Sequence, residues 1–536
     1  MHSRLYNHIK NLLAPCLAFS LAAGILSAIL ITAFKTAAEL VIHLSNTIYG
    51  AVRSNHALLP LLILGTAALG LLASVILSFS RSCRGGGIPT SVAAIRGILS
   101  FRWIAGVIIL PFSALLTFLC GIPLGSEGPC VQMGTAIGDG VVKCFGKEKH
   151  RGWRRYIMTG GASAGFSIAT ASPITAIIFS MEELHKHFSP LLLTVASLSV
   201  LSAQITSKLL AFWGFGSTGL FEMPEINTLE LKMIFVPIII GLAAGLVSIL
   251  FTHFYHFIDR RMRYILKKLS TKIVFPVIFA IVSIVGFFMA NAIGSGHKLV
   301  DELFRTQVIW YMIIIIFLLR VVGMMVSNTS GVTGGVFLPT LAFGALTGSL
   351  CAEIMIAFGW IGEELYVITV VLGITAFLGA SSRIPITACV FAVEALACIN
   401  NILPVIIATI IALLVVEISG LEDFTDTVVE ANIHSLSNGK KPELIEATFT
   451  VTETSFVANK DLRDVFWPNS CIVISFERLP INYGKHKIAV GDIVTVRYST
   501  YDIEASEKEL RAFVGEESEI SHRTINANKN ISLIAN

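Results

Sequence analysis

Residues 171–183 read Ala171-Ser172-Pro173-Ile174-Thr175-Ala176-Ile177-Ile178-Phe179-Ser180-Met181-Glu182-Glu183, an apolar stretch restarted by a proline and closed by two acids. Its frame returns 212 residues later, where Pro385-Ile386-Thr387-Ala388, Phe391 and Glu394 stand for Pro173-Ile174-Thr175-Ala176, Phe179 and Glu182. A second pattern, Pro129, Gly134 and Gly138, returns 210 residues later as Pro339, Gly344 and Gly348. Two patterns in the same order at nearly one offset mark an internal repeat. The chain therefore holds two related halves, each with Gly/Pro motifs near its middle.

Composition says where those halves reside. Of 536 residues only 14% are charged, against roughly 25% in soluble domains, which excludes one large soluble enzyme. Residues 421–536 hold 12 basic and 18 acidic residues, so the first 420 carry the basic excess. In an apolar chain that excess fits cytoplasmic loops facing an anionic leaflet, and no nucleic acid partner is expected. Apolar segments recur at about 12–34, 57–79, 104–124, 157–182, 190–213, 233–257, 273–293, 307–326, 336–358, 366–380, 384–398 and 402–419. The first is too long for a signal core and is followed by more spans, so it reads as a membrane helix. Several others are short or broken by Gly and Pro. Such breaks are tolerated at membrane depth only inside protein or along a water-filled cavity, as in transporters built from repeats. The expected fold is an all-α polytopic membrane protein of inverted-repeat architecture with a small α+β cytoplasmic domain.

Loop charges orient it. Arg4 and Lys10, the run from Lys143 through Lys147, Lys149, Arg151 and Arg154 to Arg155, and the run from Arg260 to Lys272 should be cytoplasmic, whereas 217–230, with Glu222, Glu225 and Glu230 and no Lys or Arg, should lie outside. The second and third runs fall on one side if 157–182 forms two helices interrupted at Ala171-Ser172-Pro173. A multi-pass protein of the inner (plasma) membrane with both termini cytoplasmic is expected. Nine cysteines without a CxxC pair predict neither a disulfide framework nor a zinc site, and no cofactor is expected. After residue 435, segments 443–452, 471–478 and 493–499 look like strands and 505–515 like an amphipathic helix. The expected organisation is 1–435 in the membrane, 436–520 as the α+β domain and 521–536 as a disordered tail.

Three turns carry chemistry: Gly85-Gly86-Gly87-Ile88-Pro89, Gly125-Ser126-Glu127-Gly128-Pro129, and Gly334-Gly335-Val336-Phe337-Leu338-Pro339. Each leads into a helix-like stretch and leaves backbone N–H groups at a helix start to face a ligand. Converging helix N-termini attract an anion through these donors and the helix dipole. Glu127 is the sharpest residue, since an intramembrane carboxylate is costly and marks function. Its counterpart is Phe337, so a role as a mere helix cap does not explain why one half alone has it. Glu182 matches Glu394 and suggests a scaffold acid accepting backbone or hydroxyl hydrogen bonds. Glu183 matches Ala395 and is the candidate for proton handling, set against a solvated helix end beside His185, Lys186 and His187.

These segments, with ASSRIPITACVFAVE at 380–394, resemble the signatures of the CLC chloride channels and proton-coupled chloride transporters, over about residues 10 to 430. The resemblance implies two inverted-topology halves and a homodimer in which each subunit has its own anion pathway. It implies that Glu127 is a gating glutamate, occupying the anion site when ionised and swinging away when protonated, and that Glu183 is the inner proton relay. Gly85, Gly86, Gly87, Ile88, Gly125, Ser126, Gly128, Val336, Phe337 and Thr425 become the anion-site residues, the amides of Val336 and Phe337 lining it. Two hydroxyl positions depart from the family: its usual serine is Gly86 here, and its pathway tyrosine aligns with Thr425, beside Phe424. A serine at Gly86 should strengthen chloride binding, unless Gly86 serves a tight turn. The tail, DLRDVFWPNSCIVISFER at 461–478 with VGDIVTVRY at 490–498, is similar to the TrkA C-terminal (RCK-C) domain, which implies a cytoplasmic regulatory module binding a small ligand.

With both Glu127 and Glu183 present, the expected function is exchange of chloride for protons across the bilayer, with a passive chloride channel of the same fold as the alternative. A potassium pathway lacks a TVGYG-like carbonyl filter. No nucleophile, base and orienting group assemble into an enzyme site.

Overall fold

The structure is a computed structural model. It describes residues 14–98, 102–146, 152–216 and 219–436, and within 443–525 all but 454, 459, 461–464, 466, 468–470, 478–487, 501, 502, 516, 517 and 519. Arg4, Lys10, Lys147, Lys149, Arg151 and much of 461–478 lie outside the described residues.

The first half runs through α1 (Ala14–Ser54), α2 (Leu59–Ser78), α3 (Ile88–Ile95), α4 (Trp103–Leu119), α5 (Glu127–Phe145), α6 (Arg154–Thr170), α7 (Pro173–Phe179) and α8 (Pro190–Phe212). The second runs through α9 (Phe235–Lys268), α10 (Thr271–Phe288), α11 (His297–Arg305), α12 (Trp310–Ser330), α13 (Phe337–Ala357), α14 (Tyr366–Ser381), α15 (Pro385–Glu394) and α16 (Ile402–Ile418), and α17 (Phe424–Leu436) closes the membrane part. Among the described residues nine helices are long and apolar enough to cross a membrane. The protein is a multi-pass integral membrane protein.

The repeat sets the helix starts. α5 and α13 begin 210 residues apart, while α6 and α14, α7 and α15, and α8 and α16 each begin 212 apart. Segment 157–182 divides as expected, at Ala171 in the left-handed region (φ +54°) before Pro173. The repeated glycines allow close helix crossing, because small residues let backbones approach. A Cβ on Gly134 would stand 2.0 Å from the Gly161 carbonyl oxygen, and one on its counterpart Gly344 would stand 2.7 Å from that of Gly373.

Glu182 and Glu394 bind the halves reciprocally. Glu394 accepts from the N–H groups of Ile174 and Thr175 and from the Thr175 hydroxyl, at 3.0, 2.7 and 2.7 Å. Glu182 accepts from Ile386, Thr387 and the Thr387 hydroxyl at 3.1, 2.7 and 2.7 Å. Each acid closes the first turn of the other half's short helix, satisfying donors that no intrahelical carbonyl reaches. This is the scaffold role expected for Glu182.

α1 extends well past the apolar run at 12–34 and carries Lys35, Glu39 and His43 within one helix. In the C-terminal region β1 (Glu443–Thr450), β2 (Ile472–Glu477), β3 (Ile493–Thr500), α18 (Ile503–Val514) and β4 (Ile520–Ile525) form an antiparallel sheet of order β2-β3-β1-β4 with one helix. Ile445, Phe449, Val494, Val496, Leu510 and Phe513 make its core. The expectation of a disordered tail from 521 is corrected at 521–525, which continue β4 and pair with β1. ISHRTI lacks an apolar alternation because it is an edge strand, exposed at 521–524, and polar or charged residues suit an edge. Phe456 of this region packs on Trp153 and Tyr156 at the start of α6 with ring centroids 5.5 and 5.9 Å apart, and Arg155 donates to the Trp467 carbonyl at 3.1 Å.

Candidate functional site

Where the halves meet, two glycines touch. Gly125 and Gly335, equivalent in the repeat, each donate an N–H to the other's carbonyl at 2.7 Å, a single antiparallel bridge. A pair that the repeat maps onto itself lies on the axis relating the halves, so the starts of α5 and α13 sit side by side there. The third turn joins this knot: Gly85 donates to the Gly331 carbonyl at 3.0 Å and accepts from Gly334 at 3.4 Å. A Cβ on Gly128 would lie 2.6 Å from Gly335 Cα, and one on Gly87 would lie 2.1 Å from the Gly128 carbonyl carbon. Glycine is required because backbone packs on backbone.

Gly86 belongs to the same contact. Its neighbours Gly85 and Gly87 have φ of +68° and +76°, whereas Gly86 lies outside that region. A Cβ on Gly86 would nevertheless stand 2.6 Å from the Gly334 carbonyl oxygen. The tight-turn explanation therefore holds through close approach, and a serine would have to displace backbone before it could offer a hydroxyl.

Two cavities flank the knot. The larger, about 750 Å³, is lined by Ser126 and Glu127 together with Lys35, His297 and the loop residues Leu220 and Glu222, so it opens on the side expected to lie outside. Glu127 is the first residue of α5 and 2% exposed. Its Oε1 accepts the Ser126 hydroxyl at 3.1 Å, and its Oε2 has no hydrogen-bond partner among the described residues. Lys35 Nζ donates to the carbonyls of Ile168 and Ala169, at 3.3 and 3.0 Å, in the last turn of α6, where the helix dipole favours a cation.

The smaller cavity, about 20 Å³, has Ile88, Glu183, Val336, Phe337, Phe424 and Thr425 among its walls. That is room for about one water-sized particle. Glu183 is 2% exposed, not part of a solvated helix end. Phe337, first residue of α13 and counterpart of Glu127, packs edge-on against Phe166 and Phe391 at 5.0 and 5.9 Å. Gly87 and Val336, the N-caps of α3 and α13, cap with no side chain, so the first-turn amides of both helices have no acceptor within their own helix. Of the residues expected at an anion site, Ile88, Val336, Phe337 and Thr425 thus meet around the small cavity with Glu183. Ser126 joins Glu127 at the large one, while Gly85, Gly86, Gly87, Gly125 and Gly128 build the knot between.

Lys35, which lines the large cavity, and Lys186 and Asp423, which lie beside Glu183, were given no site role from sequence. Lys35 sits one residue past the apolar run used to place the first helix, and its signal is a cation at membrane depth. Lys186 contacts Asp423 at 2.6 Å and Glu183 at 3.4 Å. The i,i+3 spacing of Glu183 and Lys186 was readable, whereas the approach of Asp423 depends on the fold. His185 is buried against the Thr159 hydroxyl at 2.7 Å. Among the described residues no cluster of His, Cys, Asp and Glu could hold a metal, and no disulfide joins any of the nine cysteines.

A family sequence model described as "Voltage gated chloride channel" matches residues 69–417. The chain is 26% identical over 378 residues to an H(+)/Cl(-) exchange transporter ClcA of Yersinia pestis, covering 68% of this chain and 77% of the relative. It is also 26% identical over 383 residues to the protein of the same name from Vibrio campbellii, covering 68% and 78%. Among solved structures it is similar to a slow cyanobacterial Cl-/H+ antiporter (TM-score 0.70, 21% identity, 78% of this chain and 98% of that one). It is similar too to a CLC-type fluoride/proton antiporter (TM-score 0.61, 21% identity, 75% and 95%).

Proposed function

The chain belongs to the voltage-gated chloride channel (CLC) family, transport proteins and not enzymes, and we propose that it is a secondary transporter exchanging chloride for protons. The observation that carries the reading is that two buried carboxylates line the two cavities beside the glycine knot, Glu127 the larger and Glu183 the smaller; the larger is taken as the outer one. Backbone amides at the starts of α3 and α13 hold the anion between them, with the Thr425 hydroxyl on the inner side. Such donors attract an anion without a fixed charge that would retain it. Ionised Glu127 competes for that site, and protonated Glu127 withdraws and carries a proton outward. Glu183 exchanges protons with the cytoplasmic side. Relatives named as H(+)/Cl(-) exchangers support this. In the same proposal the protein is a homodimer, and the C-terminal sheet is a cytoplasmic regulatory domain that binds a small ligand.

The test is a liposome assay recording chloride and proton movement together. A chloride gradient is expected to drive protons uphill. Chloride movement without protons would make the protein a passive channel. Because a fluoride/proton antiporter shares the fold, a parallel fluoride gradient tests the anion.

A further inference from the structure

Lys186 joins two parts of the molecule that the exchange reading leaves separate. It follows the π-helical turn Ser180–His185, with its backbone in the left-handed region at φ +54°. Its ammonium lies 2.6 Å from Asp423 Oδ2, 3.4 Å from Glu183 Oε2 and 3.4 Å from the Ser382 carbonyl. The side chains of Glu183 and Asp423 are 2% and 4% exposed, and that of Lys186 is 31% exposed. The other oxygen of Asp423 accepts the Asp426 N–H at 2.6 Å and so caps α17. The first two residues of α17, Phe424 and Thr425, wall the small cavity together with Glu183. One cation therefore links a buried acid to the helix start beside it.

We propose that Lys186 is a positioning residue that couples the protonation of Glu183 to the placement of the α17 start, and so to inward access of the anion cavity. The proposal rests on the exchange reading above. The two contacts of the ammonium are unequal. The one at 2.6 Å is a short, charge-assisted hydrogen bond, while the one at 3.4 Å is long enough to be given up. With Glu183 ionised, the ammonium is shared between both carboxylates and holds the α17 start against the acid. Once Glu183 takes a proton, its charge attraction for Lys186 lapses, Lys186 stays with Asp423, and the acid keeps only its neutral contact with the Thr425 hydroxyl of the cavity wall.

The other charges nearby are engaged elsewhere. Asp426 pairs with Arg96 beyond the end of α3 at 3.2 Å, Arg383 pairs with Glu417 at 3.0 Å and donates to the Leu421 carbonyl, and His185 contacts Thr159. Of the charges around Glu183 among the described residues, Lys186 is the one in contact with both the acid and the N-cap of α17.

The experiment uses the full chain in liposomes with both ions recorded. Lys186→Met should keep chloride flux within about twofold of wild type, while protons moved per chloride fall at least about fivefold, the low end of a coupling between sites. Lys186→Arg, which keeps the cation, should restore the ratio. Asp423→Asn retains a good N-cap but loses the charge, and it should lower the ratio as Lys186→Met does. The double variant should lose no more than either single one, because both act through one contact. A Lys186→Met protein whose two fluxes fall in proportion, or an Asp423→Asn protein with the wild-type ratio, overturns the proposal. Wild-type protein that moves chloride without protons refutes the exchange reading itself, and with it this inference, before any variant is made.

Discussion

Glu127 and Phe337 occupy the same step of the two halves, the first residue of α5 and of α13, yet one is a carboxylate beside the larger cavity and the other a ring beside the smaller one. Glu182 and Glu394 also correspond, and they do the same thing to each other's half. The difference separates two kinds of residue. Where the halves agree, the side chain serves the shared scaffold, and its loss is felt as stability. Where they disagree, as at Glu127 against Phe337 and Glu183 against Ala395, the side chain lies outside the shared scaffold, and under the proposed exchange its loss is felt as function.

The largest effect is expected where the halves agree. Glu182→Ala and Glu394→Ala each strand three donors, at a cost of about 3 kcal/mol or more. The two variants should lose similar amounts of folded yield and of Tm in detergent, and a clear inequality would break the equivalence. Next come the unmatched acids. Glu127→Gln and Glu183→Ala should each abolish proton movement in the two-ion assay while anion flux persists, with Tm close to wild type. A Glu127→Gln protein that still pumps protons at the wild-type rate would remove Glu127 from the mechanism. Gly86→Ser should lower stability by about 1–3 kcal/mol, as overpacking does, without raising chloride affinity in a calorimetric titration. A well-folded variant with tighter chloride binding would show that the Gly334 carbonyl yields. The smallest effect is expected from removing residues after 438, which should leave a folded protein that transports, with Tm lowered slightly by the lost contacts of Phe456 with Trp153 and Tyr156 and of Trp467 with Arg155.

The membrane architecture was legible because the repeat leaves an arithmetic trace, and the same helix starts recur at offsets of 210 and 212. Glu127 and Glu183 were legible because an acid in an apolar segment stands out without any knowledge of its neighbours. Lys186 and Asp423 lie 237 residues apart, and no local pattern announces that they meet. Gly86 suggested a missing hydroxyl, whereas its reason is a carbonyl from the other half that would stand 2.6 Å from any Cβ placed there. β4 was missed for the opposite cause: an edge strand exposed to water needs no apolar face, so periodicity is silent about it.

The exchange between Glu182 and Glu394 also bears on how the chain is made. The N–H groups of Ile174 and Thr175 await a carboxylate 219 or more residues downstream. At a synthesis rate of about 5–20 residues per second, that residue is added roughly 10–40 s later. Throughout this interval the start of α7 lacks the acceptor it has in the finished fold, and Glu182 lacks the helix it serves there. A chain truncated before Glu394 therefore lacks the carboxylate that closes the first turn of α7.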